Sequence, residues 1–367
     1  MKNKIEIIDL RQRYKSERKK LIKIFDQTLS SGNLVLTKEL DEFERSICNF
    51  TKAKYCLGLN SGTDALMMAL MACGIGKGDE VITSAISFIA TAGAIVHVGA
   101  KPIFVDVGDD LNIDPEKMQK KINKKTKAII PVHWTGRICN MTKIIKIAKK
   151  YKLTIIEDAA QAMGSYYKGK HAGSFSKVAA YSTHPLKNLN GIGDGGFLTT
   201  NDKKIYEKIK KYRNHGLVGR DNAEIFGINS RLDVINARIL NFRLKKLKLI
   251  IKRRQKNINL YKKFIKNNNI FFIKDKEYEI NSHVMFVALC ENRDQLKRYL
   301  EKKNIQTLVY YGKPLHKHKA SRSLITQDLK NSENLCEKVL AFPHHQYLKK
   351  EEIKYICKCI DNFYENI

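Results

Sequence analysis

From about residue 50 onward, short apolar runs alternate with longer segments whose apolar residues follow a helical spacing. The run KYCLGLN predicts a buried strand, and SGTDALMMALMACG, rich in strong helix formers, predicts a helix that ends at Gly74. The alternation continues through DEVITS, FIATAGAIVHVG, KPIFVDV, TKAIIPVHW, MTKIIKIAKKY, LTIIEDAA, KVAAYST and GGFLTTND. Continuous apolar strands separated by helices are typical of an α/β protein with a doubly wound, mostly parallel sheet.

The C-terminal third has a different pattern. Residues 233–267 contain neither glycine nor proline and predict one long helix. Beyond it, strands such as HVMFVALC alternate with helices such as RDQLKRYLEKK, an α+β pattern. Because 367 residues exceed the usual size of one core, we expect a large α/β domain over residues 1–245 and a smaller α+β domain over 246–367. The N-terminal segment is free to pack on the smaller domain.

The chain is strongly basic, with 68 Lys and Arg against 37 Asp and Glu and a formal charge of +31. The lysines are spread along the whole chain, which is typical of a general compositional bias. No helix-turn-helix, zinc-finger or RNA-recognition signature accompanies them, so we expect no specific nucleic-acid partner. A basic surface is equally compatible with an anionic small substrate.

Cysteine spacing and hydropathy exclude further classes. The eight cysteines, at positions 48, 56, 73, 139, 290, 336, 357 and 359, form neither a CxxC pair nor a zinc-binding spacing, so we expect reduced thiols and no metal site. Apolar runs such as ALMMALMAC are too short to cross a bilayer, and the N-terminus has no apolar segment of a secretory signal. We expect a cytoplasmic protein with no membrane partner.

Candidate phosphate-binding residues follow the first strand. In LNSGTDAL, Gly62 allows close approach of the backbone, and Thr63 offers a hydroxyl at the start of a helix, where unpaired N–H groups attract anions. The same residues also suit a plain helix N-cap. Ser182, at the end of KVAAYS, is a second hydroxyl at a strand end.

Two further segments carry groups that could engage a ligand. In IIEDAAQAMG, Asp158 ends an apolar strand, where a buried carboxylate needs a cationic or hydrogen-bonding partner, such as a protonated ring nitrogen; Gln161 could reach a neighbouring ring oxygen. An N-cap role for Asp158 is the alternative. Lys187, in a glycine-rich loop, could form a Schiff base with an aldehyde. Phe88 could cover a ring or pack in the core.

Seven segments occur in the order found in one enzyme family: NSGTDAL, FIATAGAIVHVGAKPIFVDV, EDAAQAMGSYYKGKHAGSF, STHPLKNLNGIGDGG, YRNHG, NSRLD and FPHH. Through them the chain resembles the sugar aminotransferases of the DegT/DnrJ/EryC1/StrS group. These have the fold of the type I transferases that depend on pyridoxal 5'-phosphate (PLP), so the resemblance implies that fold and PLP as the cofactor.

The resemblance also implies roles for individual residues. Lys187 would bond covalently to the PLP aldehyde and move the proton during catalysis, while Asp158 would keep the ring nitrogen protonated. Gly62, Thr63 and Ser182 would contact the phosphate of the cofactor, and Gln161 and Phe88 would contact its ring. Asn229 would reach the phosphate bound by the neighbouring subunit, as in a homodimer with shared active sites. His133, Tyr311 and His316 match segments on the substrate side.

The family's substrates set the expected reaction. Most members aminate a keto sugar linked to a nucleotide, and the resemblance implies glutamate as donor and 2-oxoglutarate as its product. The GDGG segment, with Asp194, looks like the corresponding segment of members that act at sugar carbon 3. Reaction at carbon 4, a keto-cyclitol substrate, and a regulator that binds PLP without catalysis are the alternatives. A branch with histidine in place of the lysine performs dehydration; Lys187 favours transamination.

Overall fold

A computed structural model describes residues 4–324 and 329–366 of the chain. Its helices are α1 Leu10–Ser30, α2 Lys38–Thr51, α3 Gly62–Ala72, α4 Ile89–His97, α5 Pro115–Lys120, α6 Met141–Tyr151, α7 Lys203–Tyr212, α8 Val234–Leu244, α9 Leu247–Phe264, α10 Arg293–Lys302, α11 Lys330–Lys338 and α12 Lys350–Glu365. Its strands are β1 Tyr55–Leu59, β2 Glu80–Ser84, β3 Lys101–Val105, β4 Thr126–Ile130, β5 Thr154–Asp158, β6 Tyr166–Tyr167, β7 Lys170–His171, β8 Val178–Ser182, β9 Gly196–Thr200, β10 Ile270–Phe272, β11 Glu279–Ile280, β12 Phe286–Cys290 and β13 Val339–Phe342.

The largest sheet has seven strands in the order β1-β9-β8-β5-β4-β2-β3. The strands from β8 to β3 are parallel to one another, and only β9 runs antiparallel, to both β1 and β8. The predicted α/β class with a mostly parallel sheet is therefore confirmed. Because β5 and β8 are parallel neighbours, their last residues, Asp158 and Ser182, lie at the same edge of the sheet.

Helices cover both faces of this sheet, and alternate residues of its strands point to opposite cores. On β4, Ile129 packs into one core, which contains Phe43 of α2 and Ile144 of α6, whereas Ile130 packs into the other, against Leu66 of α3. This burial on both faces explains why the strands are continuously apolar.

A second, smaller sheet of order β10-β12-β13 is fully antiparallel. Its core combines Phe342 of β13 with Tyr261 of α9, Leu296 of α10 and Ile356 of α12. Near the N-terminus, Ile5 forms a parallel bridge with Ile305, so the start of the chain lies against this C-terminal part. A third small sheet pairs β11 with the β6–β7 hairpin.

The single helix predicted over residues 233–267 is wrong. Two helices, α8 and α9, are separated by a turn at Lys245 and Lys246, in which the N–H of Lys246 donates to the carbonyl of Arg243, three residues back, at 3.0 Å. α8 packs against α2 and α9 packs against α12, so the two helices belong to different cores. Tertiary packing sets this break, and helix propensity does not report it.

Helix hydropathy, the state of the thiols and the placement of metal-ligating side chains complete the description of the fold. Within residues 4–324 and 329–366, no helix has the length and apolar character needed to cross a membrane. The eight cysteines are free thiols. The same part of the chain contains no cluster of three or more His, Cys, Asp or Glu suited to holding a metal ion.

Candidate active site

A cavity of about 410 Å³ opens at the carboxyl edge of the large sheet. Its wall combines the ends of β5 and β8, the N-terminal turns of α3 and α4, the loop after β8 and residues 308–311. The residues predicted from the sequence that line it are Gly62, Thr63, Phe88, Asp158, Gln161, Ser182, Lys187 and Tyr311. Segments separated by up to 250 positions thus meet around one space.

One end of the cavity is formed by the first turn of α3. Ser61 caps this helix by accepting the N–H of Asp64 at 3.0 Å, so the N-cap interpretation holds for Ser61, while Gly62 and Thr63 line the cavity. A Cβ on Gly62 would lie 2.9 Å from the Cβ of Ser182, so only glycine permits this approach between helix and strand. The positive end of a helix beside two hydroxyl groups is suited to a phosphate.

Asp158 lies on the cavity wall with only 5% of its surface exposed. Its Oδ2 accepts from the hydroxyl of Thr91 at 2.7 Å, and its Oδ1 accepts from the N–H of Ala160 at 3.2 Å. Burial raises the pKa of Asp158 despite these bonds and the opposing positive charge of Lys187. Residues 159–164 form no helix, which excludes the N-cap role and leaves a carboxylate that lacks a full set of partners.

Thr91 and Ser87 are site residues that the sequence interpretation missed. The two hydroxyls are 2.7 Å apart, and because Thr91 gives its only hydroxyl proton to Asp158, Ser87 must donate to Thr91. Both lie at the start of α4 near Phe88. Their spacing of four residues, which puts them on one side of a helical turn, is the signal that could have found them.

Gln161 is held in one orientation by a loop from the preceding strand. Its side-chain oxygen accepts the N–H of Thr135 at 2.8 Å. Because the amide oxygen is occupied by this bond, the NH₂ group remains available as a donor on a residue that lines the cavity.

Two neighbouring aromatic residues line the cavity. Phe88, the N-cap residue of α4, is 54% exposed, which excludes the core-packing alternative. Its ring centroid is 6.1 Å from that of Tyr311, which stacks on Tyr310 at 4.3 Å. Burial raises the pKa of Tyr311 far above that of a free phenol, so its hydroxyl stays protonated.

Lys187 is half-buried and enters the cavity from the loop after β8. Its backbone N–H donates to the carbonyl of His184 at 2.8 Å. The backbone N–H of Gly191 donates to the carbonyl of Thr183 at 2.7 Å, which closes the loop. The lysine charge acts on the pKa of Asp158, so the two side chains lie within electrostatic reach across one space. The amine and the acid that the sequence analysis singled out therefore share one cavity.

His133 and His316 do not line the cavity. The His133 ring is fully buried, with Nε2 at 2.9 Å from Oε1 of Glu157. The Nε2 of His316 is 2.8 Å from Oε1 of Glu333 on α11. Each ring is hydrogen-bonded to a glutamate of the same chain, and the sequence alone could not show these pairings. Their contact with substrate stays a prediction.

A further set of wall residues was also missed. Met285, Leu308, Val309 and Tyr310 form an apolar side of the cavity. They come from the C-terminal part of the chain, about 100 positions beyond Lys187, and no motif marks them. Asn229 is exposed and lies outside the cavity of its own chain, whereas Asp194 lines it.

Comparison with known proteins decides the family. Residues 15–361 match the DegT/DnrJ/EryC1/StrS aminotransferase family. The chain belongs to this family. The predicted resemblance is confirmed over nearly the whole length.

Individual relatives of this aminotransferase cover its full length. It is 36% identical over 368 residues to a pleiotropic regulatory protein of Geobacillus stearothermophilus, with 99% of each chain covered. It is 37% identical over 360 residues to the dTDP-3-amino-3,6-dideoxy-alpha-D-galactopyranose transaminase of Aneurinibacillus thermoaerophilus, covering 98% of this chain and 99% of the relative. The crystal structure of S. venezuelae DesV in complex with a ketimine intermediate matches with a TM-score of 0.96 at 31% identity, and all of both chains is covered.

Aminotransferases of this family use PLP, and solved structures similar to this chain hold the cofactor in its PLP and PMP forms. The cavity fits that group: a helix N-terminus with close-packed Gly62 suits the phosphate, and the under-bonded carboxylate of Asp158 suits the ring nitrogen. The chain is a PLP-dependent enzyme that converts keto sugars to amino sugars.

Proposed function

We propose that this aminotransferase replaces the 3-keto oxygen of a nucleotide-linked sugar with an amino group taken from glutamate. The observation that carries the assignment of the reactive lysine is the shared cavity of Lys187 and Asp158 beside the N-terminus of α3. Asp194 on the wall supports carbon 3, as does the A. thermoaerophilus relative, which is named for a 3-amino sugar.

Lys187 is the proposed catalytic residue. When bound, PLP supplies an aldehyde that takes up the amino group and a ring that withdraws electrons from the reacting carbon. The Nζ of Lys187 would be the group that takes the proton from the carbon that bears the amino group and holds it next to the cofactor. A half-buried position next to the cavity lets this amine reach the reacting atoms without permanent exposure to water.

The remaining wall residues hold the cofactor in the proposed assignment. The carboxylate of Asp158 would accept the ring N–H, and the NH₂ of Gln161 would donate to the ring hydroxyl. Gly62, Thr63 and Ser182 would bind the phosphate, and Phe88 would cover one ring face. Tyr311 lies opposite Phe88, where its protonated hydroxyl is a donor for substrate.

We further propose that two copies of the chain share their active sites. Asn229 is exposed and lies outside its own cavity, as expected of a residue that reaches the phosphate held by a partner. Exposed apolar side chains occur in the same region, at Phe226 and Ile228. A homodimer would cover them.

The half-reaction with glutamate tests the enzymatic proposal. Addition of glutamate to the protein loaded with PLP should bleach the absorbance of the lysine-bound cofactor and release 2-oxoglutarate. The G. stearothermophilus relative is described as a regulatory protein. If this chain were likewise a regulator without catalysis, PLP would bind and this spectral change would be absent.

The position of amination is tested with nucleotide-linked amino sugars run in reverse, with 2-oxoglutarate as acceptor. A 3-amino sugar should be consumed, and NMR of the product should show the keto group at carbon 3. Consumption of 4-amino sugars or aminocyclitols instead would overturn the assignment to carbon 3 and leave the aminotransferase chemistry intact.

A further inference from the structure

The loop that carries Lys187 is anchored to the rest of the protein by the side chain of the next residue, Asn188. The side chain of Asn188 is buried, and its amide oxygen accepts from Nη1 of Arg254 at 2.5 Å. Its amide nitrogen donates to the carbonyl of Ser282 at 3.0 Å. Both polar atoms of Asn188 are therefore engaged by residues at least 66 positions further along the chain.

Arg254, on α9, is a buried cation without an acidic partner in the described part of the chain. The buried residues Arg137, Arg213 and Arg243 each form an ion pair. Arg254 instead donates to amide oxygens, those of Asn188 and, at 3.4 Å, of Gln346. Burial, followed by the charge of Arg13, lowers the pKa of Arg254 to about 10.

An uncompensated buried charge is expensive, and apolar residues of similar volume often stabilise a fold better. Stability alone therefore does not account for arginine at position 254. What the guanidinium supplies and an apolar side chain cannot is a fixed donor for the oxygen of Asn188.

A second arginine holds the far end of the same loop. Arg243, on α8, donates to the carbonyls of Asn190 at 2.7 Å and Gly191 at 2.9 Å, and its charge is balanced by Glu17 of α1 at 2.8 Å. The loop from residue 187 to 191 is thus fixed at both ends by side chains of the two helices that the break at Lys245 separates.

We propose that Arg254 is a positioning residue, which acts through Asn188 to fix the backbone at Lys187 and hence the direction in which the Lys187 side chain enters the cavity. This rests on the proposed function in one respect, that Lys187 is the reactive amine. A lysine side chain has four rotatable bonds, so its entry direction depends on the backbone that carries it. A shift of about 1 Å at a reacting group can lower a rate a hundredfold.

The test compares Arg254→Met with Arg253→Met, a matched control because Arg253 is exposed and lies beside it on α9. Asn188→Ala and the double variant complete a double-mutant cycle. Two quantities are measured on folded protein: amide hydrogen exchange of residues 184–191 in the protein without cofactor, and the rate at which added PLP becomes bound to Lys187 in a form that borohydride traps.

Arg254→Met and Asn188→Ala should each accelerate exchange in the loop and slow PLP attachment by about tenfold, and the double variant should be no slower than either single variant. Arg253→Met should behave like the unaltered chain. Folded Arg254→Met protein with unchanged exchange and attachment, or a double variant whose loss is the product of the two single losses, would overturn the proposal. Failure of the proposed transamination is distinguishable, because it would abolish the glutamate half-reaction of the unaltered protein while PLP still became attached to Lys187 and these comparisons stood.

Discussion

Two neighbouring carboxylates at the end of β5 have opposite surroundings. Asp158 faces the cavity and accepts two hydrogen bonds, from Thr91 and Ala160. Glu157 faces away and is fully buried, and it accepts four. The donors to Glu157 are the His133 ring, the N–H groups of Gly173 and Phe175, and the Ser176 hydroxyl.

The numbers of donors give the two acids opposite pKa shifts. Burial acts to raise the pKa of both. In Glu157 the hydrogen bonds and the charge of His133 outweigh burial, and the pKa is lowered. In Asp158 burial prevails, and the pKa is raised. A buried acid with all its donors stabilises the fold, whereas a buried acid with too few is prepared for a ligand that brings another.

The largest expected effect is on stability, at Glu157. Replacement by alanine removes the partner of a buried histidine and leaves three further donors unpaired, so the free energy of unfolding should fall by about 3–5 kcal/mol. Urea denaturation of the protein without cofactor measures this. An unfolding free energy close to that of the unaltered chain would show that the four bonds contribute nothing net.

The next effect is on catalysis, at Asp158. Asp158→Asn keeps the shape and one acceptor but removes the charge that faces the ring nitrogen, so kcat should fall by about two orders of magnitude or more. Steady-state turnover of a nucleotide-linked amino sugar measures it. The matched control is the stability of the same variant, which should not decrease; an active Asp158→Asn enzyme would contradict the role given to this acid.

A smaller effect is expected at Thr91. Thr91→Val preserves the volume and removes the hydroxyl that donates to Asp158, a bond to a charged group worth about 1.5–3 kcal/mol. The carboxylate then becomes harder to ionise, and PLP affinity should weaken by roughly tenfold or more. Fluorescence titration with PLP checks this, and unchanged affinity would remove Thr91 from the site.

The smallest effect is a pH dependence of stability without cofactor. Because the folded pKa of Asp158 lies above its unfolded value, ionisation disfavours the folded state once pH exceeds the unfolded pKa of about 4. Asp158→Asn should therefore melt higher than the unaltered chain at pH 7, and the difference should shrink as pH falls through the raised folded pKa and be gone below about 4. Thermal melts across this range measure it, and a variant that is less stable at pH 7 would contradict the sign.

What the sequence could predict depends on how far apart the cooperating residues are. Asp158, Ser182 and Gly62 were accessible because each follows an apolar strand, and parallel strands end at one edge of a sheet. Arg254 and Met285 were not, because their contacts with Asn188 and the cavity depend on how the C-terminal part packs. The acid that engages His316, Glu333 of α11, was hidden for the same reason.

The most direct test of the account is to locate the lysine that binds the cofactor. The protein loaded with PLP is reduced with borohydride, digested, and mapped by mass spectrometry. We predict the reduced cofactor on the peptide that contains Lys187, and none after Lys187→Ala. Cofactor fixed to any other lysine, or trapping that persists in Lys187→Ala, would contradict the assignment of this residue.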